Sequence, residues 1–286
     1  MNTQFWIIQA FNGISYGALL FLVGSGLSLI FGVMRIVNLS HGSYFLLGGY
    51  IALSVINGTS SWALSLPVAA LAVAVIGLLM ERVFLRPLGF DPLRQVLLTV
   101  GFAFLFQQAA LDIWGGNNMD INPPVGLTDS IVVGGIFLPL YRVFMIGVAL
   151  AIGVFLWLLM EKTRIGAAVR ATVDDAQMAR GVGIDTERIS MLVFALGAFL
   201  AALGGVIGGG FLGIYPGLDF EMLPLAFAVV IIGGMGSLGG AAIGALLVGL
   251  ADNFGKALFP EVSYFTLYAP MALILAVKPT GLFGRE

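Results

Sequence analysis

The stretch FWIIQAFNGISYGALLFLVGSGLSLIF, residues 5–31, contains no charged side chain in its 27 positions. An α-helix needs about 20 mainly apolar residues to cross the hydrocarbon core of a bilayer. No Lys or Arg precedes this stretch, and it is longer than the apolar part of a secretory signal. We therefore interpret it as a first membrane helix and not as a cleaved leader.

Similar stretches recur along the chain, and together they predict the fold class. The clear ones are residues 62–80, 96–114, 143–160 and 189–214, with a shorter one at 265–277. Two regions are ambiguous: residues 40–56, and residues 223–250, which a glycine-rich break interrupts. We predict an all-α polytopic membrane helix bundle with about eight or nine membrane segments, some of them short or re-entrant helices broken by glycine. Residues 1–286 are predicted to form a single transmembrane domain.

The composition supports a membrane protein and excludes several functions. Hydrophobic residues make up 59% of the chain and charged residues 10%, whereas a soluble domain is about 25% charged. The net charge of −2 argues against a nucleic-acid partner, which would require a basic face. The absence of cysteine excludes disulfides, thiolate metal sites and thiol nucleophiles.

The basic residues are unevenly distributed, and their distribution predicts the orientation of the chain. Arg35, the loops at 81–94 and 161–188, and the tail with Lys278 and Arg285 together hold 11 of the 13 Lys and Arg residues. The alternate loops, at 115–140, 215–221 and 253–264, hold only Lys256. By the positive-inside rule the C-terminus is cytoplasmic and the N-terminus periplasmic.

Two loops are informative on opposite sides of the predicted membrane. The outer loop, residues 115–140, contains Asn, Pro and Gly clusters that predict turns and a small hairpin. No segment is long enough to hold a nucleotide-binding domain, and the P-loop pattern G-x-x-x-x-G-K-[ST] does not occur. If ATP drives this protein, another chain must bind it.

The cytoplasmic loop, residues 161–188, has helical periodicity. Ile165, Val169 and Val173 recur at i+4, Arg170 and Asp174 form a favourable i,i+4 pair, and glycines at 181 and 183 would end the helix. A short helix outside the membrane can insert into a groove on a cytoplasmic partner. The alternative is a solvated connector whose charges only set the topology.

Two polar or glycine-rich breaks interrupt the apolar pattern: GVMRIVNLSHGSYFLLGG at 32–49 and GGMGSLGG at 233–240. Matched interrupted segments in a transporter point to its translocation pathway. The alternative is that the glycines only allow helices to pack closely. The predicted pathway residues are Asn38, Ser40, His41, Gly42, Gly236, Ser237 and Gly239.

His41, the only histidine, has several possible roles. It could titrate near neutral pH or bind a solute, but a hydrogen bond between helices is the more common role of such a residue. A Ser25–His41 dyad of an intramembrane protease is a further alternative, which a lone Gly-Ser-Gly specifies weakly. Four acids are predicted to lie near span ends, where water or headgroups reach them, and they do not indicate a proton relay: Asp112, Asp219, Glu221 and Asp252.

The motifs of this chain resemble those of the branched-chain amino-acid ABC transporter permeases. LIFGVMRIVNLSHG at 29–42 resembles the opening signature of that family, and residues 166–184 resemble its ATPase-coupling segment. The glycine-rich break at 233–240 and the ending KPTGLFG at 278–284 are also similar, so the resemblance covers nearly the whole chain. Ala168 departs from the pattern, because a basic residue is common at that position.

The resemblance implies a function and an assembly. The chain would be the membrane-spanning permease subunit of an ABC importer of the bacterial inner membrane, carrying branched-chain or related amino acids. It would pair with a second permease subunit, often a paralogue, with two ATPase subunits that hold ATP and Mg²⁺, and with a periplasmic binding protein. The chain itself would hold no cofactor or metal and catalyse no bond-making step.

The resemblance also implies which residues couple to the ATPases, and it leaves alternatives open. Relatives of this family carry urea, amides or other small polar solutes, and a secondary transporter that works without ATPases is the alternative from another class. The coupling residues implied are Arg170, Ala171, Asp174, Ala179 and Gly183.

Overall fold

The computed structural model describes residues 3–89 and 91–284, apart from the side chains of residues 263, 264, 266 and 267. The predicted tail residue Arg285 lies outside this part. The helices within it are α1 (Thr3–Met34), α2 (His41–Thr59), α3 (Trp62–Met80), α4 (Pro92–Trp114), α5 (Leu140–Lys162), α6 (Arg164–Asp174), α7 (Ala176–Gly181), α8 (Thr186–Leu212), α9 (Leu218–Gly233), α10 (Leu238–Leu258) and α11 (Ser263–Val277).

Short helical turns and one hairpin lie between the helices. A π-helical turn at Glu81–Leu85 and a 3-10 turn at Arg86–Leu88 extend α3. In the outer loop, β1 (Ser130–Val133) pairs antiparallel with β2 (Ile136–Pro139), which confirms the predicted hairpin.

Six helices are long and apolar enough to cross a membrane: α1, α3 with its extension, α4, α5, α8 and α10. This confirms a polytopic helical bundle, whereas the predicted total of eight or nine segments is not confirmed. The apolar helices α2, α9 and α11 have 19, 16 and 15 residues. At 1.5 Å per residue they are about 22–28 Å long, slightly less than the hydrocarbon core.

Polar caps define where several helices begin in an otherwise uniformly apolar sequence. The side chains of Ser61, Asp91, Asp185 and Ser237 each accept a hydrogen bond from a backbone N–H in the first turn of α3, α4, α8 and α10 respectively. These N–H groups have no partner within the helix. The caps therefore satisfy donors that would be costly to leave free in a bilayer.

The central helices α1 and α8 are held together by glycine. A Cβ atom added to Gly26 of α1 would lie 3.1 Å from Cα of Gly197 in α8. On another face of α1, a Cβ added to Gly249 of α10 would lie 2.6 Å from Cα of Gly17. Such close approach of backbones gives dispersion contact and leaves no room for a larger residue.

The outer helices differ, because they present large apolar side chains outward. Leu97 of α4 and Leu150 of α5 are 62% and 65% exposed. In water this surface would be a large apolar patch. In a bilayer the lipid chains solvate it, so the burial pattern agrees with the membrane assignment.

The helices α2 and α9 begin inside the bundle instead of at its ends. The His41 Nε2 atom lies 3.0 Å from the carbonyl oxygen of Val23, which is eleven residues, or about 17 Å, before the end of α1. The connector at 35–40 therefore runs back alongside α1. The first turn of α9 meets the first turn of α2, where Gly42 lies against the backbone of Asp219.

We expect Gly26→Leu to lower the free energy of unfolding of the bundle by about 1–3 kcal/mol, the usual cost of overpacking. The matched control is Gly101→Leu in α4, because a Cβ there has no neighbour within 4 Å. The measurement is the thermal aggregation midpoint of the purified protein in detergent. Equal midpoints for the two variants would contradict the packing role of Gly26.

Candidate pathway and coupling surface

A cavity of about 790 Å³ opens beside the glycine-rich break. It lies between the C-terminal half of α1, the end of α5, the helix α6 and the start of α10; we call it the inner cavity. Three predicted pathway residues and two predicted coupling residues line it together: Gly236, Ser237, Gly239, Arg170 and Asp174.

The break itself is a tight turn that only glycine adopts easily. Gly234 and Gly236 have φ angles of +100° and +79°, in the left-handed region that side chains disfavour. A Cβ added to Gly32 of α1 would lie 2.8 Å from Cα of Gly236. The Ser237 hydroxyl then accepts the backbone N–H of Gly240 at 3.0 Å and starts α10. The break is thus fixed against α1 by backbone contact.

The glycines of this region fall into two classes. Gly240 and Gly244 pack against the backbone of α9, whereas a Cβ on Gly239 would meet nothing within 4 Å. Gly239 is exposed and faces the inner cavity. Close packing therefore explains Gly240 and Gly244 but not Gly239.

The first break occupies a different environment. Asn38, Ser40, His41 and Gly42 are all buried and do not line the inner cavity. The Ser40 N–H and hydroxyl donate to Asn38 Oδ1 at 3.1 and 2.7 Å, and the N–H of Leu39 donates to another helix, at Thr99 Oγ1. The structure thus separates the two predicted halves of the pathway, and the role of the first remains a prediction.

The histidine takes part in a contact between helices. His41 Nε2 lies 3.0 Å from the carbonyl oxygen of Val23, so in the tautomer that carries a proton on Nε2 the ring donates from α2 to α1. The hydroxyl of Ser25 donates to the Leu22 carbonyl at 3.1 Å. In residues 3–89 and 91–284 no hydrogen bond joins Ser25 to His41, so the arrangement gives no support to a protease dyad.

The prediction that Asp219 lies within reach of water is wrong. Its residue is 2% exposed, and Ser43 donates to its Oδ2 atom at 3.0 Å. Gly213 and Gly217, with φ angles of +75° and +105°, let the chain turn back into the bundle before α9. Asp219 then lies at the positive ends of both α2 and α9, which favour a carboxylate. An acid in the first turn of a helix, directly after two glycines, is a sequence signal that could have predicted this burial.

The same prediction is wrong for Asp252, which is 7% exposed. Lys256, one turn later in α10, lies with its Nζ atom 2.7 Å from Asp252 Oδ2. This i,i+4 pair, which the sequence spacing permitted, compensates the buried carboxylate.

The coupling loop contains the predicted helical structure, divided into two helices. Thr163 caps α6 and Asp175 caps α7, so the chain turns after Asp174. Helix α7 ends at Gly181, and Gly183 has a φ angle of +90°, as the glycine positions predicted. The Arg170 Nη1 atom lies 3.8 Å from Glu161 Oε2 on α5.

Two of the predicted coupling residues in this loop have little exposed surface. Ala179 is 3% exposed and Ala171 is half-buried, so neither offers much surface to another protein. Met178 and Val182 are 66% and 71% exposed. Neither residue was predicted from the sequence, although an apolar i,i+4 pair in a loop outside the membrane indicates such a surface.

Four basic segments meet at one end of the bundle. Arg86 Nη1 lies 3.5 Å from Glu187 Oε2, so this ion pair joins the turn that extends α3 to the first turn of α8. Arg35 and Phe283 both line the inner cavity with Arg170. We call this end, which also bears α6 and α7, the coupling end.

Comparisons with known proteins agree along the whole chain. The family model described as "Branched-chain amino acid transport system / permease component" matches residues 9–275. This chain is 30% identical to each of two high-affinity branched-chain amino acid transport system permease proteins. They are BraD of Pseudomonas aeruginosa and LivH of Escherichia coli. The matches cover 98% and 100% of this chain and 96% and 98% of theirs. No solved structure matches.

The cysteine-free sequence allows a direct test of where water reaches. We expect Gly239→Cys to react with a charged, water-soluble methanethiosulfonate, because its side chain would project into the inner cavity. The matched Ser40→Cys should react at least about tenfold more slowly, because position 40 is fully buried and the thiolate must meet the reagent in water. Labelling is measured by mass spectrometry of the protein in nanodiscs. Equal labelling rates at positions 239 and 40 would contradict the assignment of Gly239 to the cavity wall and of Ser40 to the core.

Proposed function

Because the chain belongs to the family of branched-chain amino acid transport system permease components, we propose that it carries branched-chain amino acids across the bacterial inner membrane as the permease subunit of an ABC importer. The observation that carries the proposal is the similarity to BraD and LivH, which includes both breaks and the coupling loop. The energy would come from separate ATPase subunits that bind ATP and Mg²⁺.

The inner cavity supports a pathway suited to such solutes. An apolar groove of about 390 Å³ runs along α1 between α5 and α10, and it shares Phe21, Gly153 and Ala242 with the inner cavity. Aliphatic side chains fit an apolar wall. The freed backbone of the glycine-rich break and the Ser237 hydroxyl offer polar partners to the zwitterionic part.

The groove also supports pairing with a second permease subunit. It is open along one side of this chain, between α5 and α10, and its wall includes Gly17 and Ala149. A closed path requires a second wall, which a paralogue or a second copy would supply. A periplasmic binding protein would deliver the solute at the opposite end from α6.

The coupling step follows from the position of α6. Val169 and Arg170 of α6 form one wall of the inner cavity, and Gly239 of α10 forms another. Met178 in α7 and Val182 at its end are exposed, and they are the surface that an ATPase groove would cover. Closure of the ATPases on ATP would move α6 relative to α10 and so change access to the pathway.

We also propose the orientation and number of the membrane segments. The coupling end is cytoplasmic by the positive-inside rule, which puts the C-terminal segment inside and the N-terminus in the periplasm. The connector at 35–40 with α2, the segment from 213 with α9, and α11 would add three segments to the six long helices. Each break is buried or faces a cavity, as backbone at membrane depth requires.

The coupling surface can be tested by adding charge. We expect Val182→Asp to abolish co-purification of the ATPase subunits, because a carboxylate would be desolvated in an apolar groove. The matched control is Val133→Asp in the outer hairpin, where Val133 is 58% exposed. Co-purification from detergent-solubilised membranes is measured by immunoblot. Retention of the ATPases by Val182→Asp would contradict the assignment.

The transport function is tested with the assembled importer in proteoliposomes. We expect ATP-dependent uptake of radiolabelled leucine that requires the binding protein and that excess isoleucine or valine inhibits. Urea serves as the control solute. Leucine uptake independent of ATP, or uptake of urea alone, would contradict the proposal.

A further inference from the structure

The end of the chain folds back onto the bundle. After α11 the Gly281 N–H donates to the Lys278 carbonyl at 2.9 Å, which closes a turn. The Lys278 ammonium group donates to the Leu282 carbonyl at 2.8 Å and fixes the next residues. We call residues 278–284 the C-terminal strap.

The strap bonds the C-terminal end of α9. The N–H of Leu282 donates to the Ile232 carbonyl and the N–H of Phe283 to the Gly233 carbonyl, both at 3.0 Å. Carbonyls in the last turn of a helix lack intrahelical partners. The strap therefore supplies donors at the position where α9 ends and the glycine-rich break begins.

The contact is between backbones and excludes side chains on both sides. A Cβ added to Gly281 would lie 2.5 Å from the Ile231 carbonyl oxygen and 2.6 Å from Cα of Gly234. Gly281 and Gly234 have φ angles of +79° and +100°. Both glycines are needed for the strap to lie this close, because a side chain would be strained and would also collide.

The strap also delivers an aromatic side chain to the inner cavity. Phe283 is 49% exposed and lines the inner cavity together with Gly236 and Gly239 of the break and Val173 of α6. Its own N–H is bonded to α9. Phe283 is thus bonded to the end of α9 through its backbone and borders the same cavity as the break and α6.

We propose that the C-terminal strap holds the glycine-rich break in position and that the Phe283 ring gates the inner cavity at its coupling end. The inference rests on the proposed function, in which this cavity is the inner part of the pathway. A displacement of α6 relative to α10 changes the space available to the ring. The gate therefore responds to the same motion that the ATPases drive.

The gate is tested with Gly239→Cys as a reporter in the otherwise cysteine-free, full-length chain in nanodiscs. We measure its rate of reaction with a trimethylammonium methanethiosulfonate, with and without Phe283→Ala. We expect Phe283→Ala to accelerate labelling severalfold, because the ring no longer obstructs the cavity. Phe137→Ala, at a 71% exposed position in the outer hairpin, is the matched control. An unchanged rate in Phe283→Ala would overturn the gate.

The strap is tested with the same reporter and two further variants. Lys278→Met removes the hydrogen bond from the ammonium group to the Leu282 carbonyl. The net loss of one hydrogen bond changes an equilibrium constant about fivefold, and we expect the labelling rate of Gly239→Cys to rise by that factor. Gly281→Val, which forces the backbones apart, should have a larger effect. If both variants are labelled at the same rate as Gly239→Cys alone, the proposed role of the strap is overturned.

The labelling readout separates this inference from the proposed function. If Phe283→Ala accelerates labelling but the assembled importer fails to take up leucine, the gate is supported and the proposed solute is wrong. If leucine uptake is normal but labelling is unchanged in every variant, the strap and gate are wrong and the transport function stands.

Discussion

Backbone N–H and C=O groups have no water to bond inside a bilayer, and each interruption of a helix must therefore supply other partners. The chain meets this requirement in different ways. At the first break, the side chains of Asn38 and Thr99 accept hydrogen bonds from the backbone N–H groups of Ser40 and Leu39. Before α9, Ile214 exchanges backbone hydrogen bonds with Met119 of the outer loop. At the glycine-rich break, the C-terminal strap bonds the last carbonyls of α9.

These solutions have different consequences for function. At the first break, Asn38, Ser40, His41 and Gly42 are buried, so a motion of these residues would disturb the packed core. The glycine-rich break borders a cavity, and the segment that follows α11 bonds the end of α9 beside it. A boundary between a rigid core and a cavity of this kind is where a small displacement changes access most easily.

Glycine performs two separate tasks in this bundle. At Gly26 and Gly249 the missing side chain allows two helix backbones to touch, and dispersion contact holds the helices together. At Gly239 the missing side chain leaves space in the cavity wall. Residues of α6 line the same cavity as Gly239, so a displacement of α6 would change that cavity directly.

The sequence left α10 ambiguous, because residues 223–250 contain the glycine-rich break, but it predicted the membrane character, the other five long helices, the hairpin, the helical loop at 161–188 and the family. These follow from local periodicity, charge and motif order, which act over a few residues. Only the tertiary structure decided that Asn38 is buried while Gly239 faces a cavity, that Asp219 returns into the bundle, and that Met178 is exposed whereas Ala179 is not. Those outcomes depend on which helix packs beside each residue, and glycine-rich apolar segments have no local pattern that specifies their neighbours.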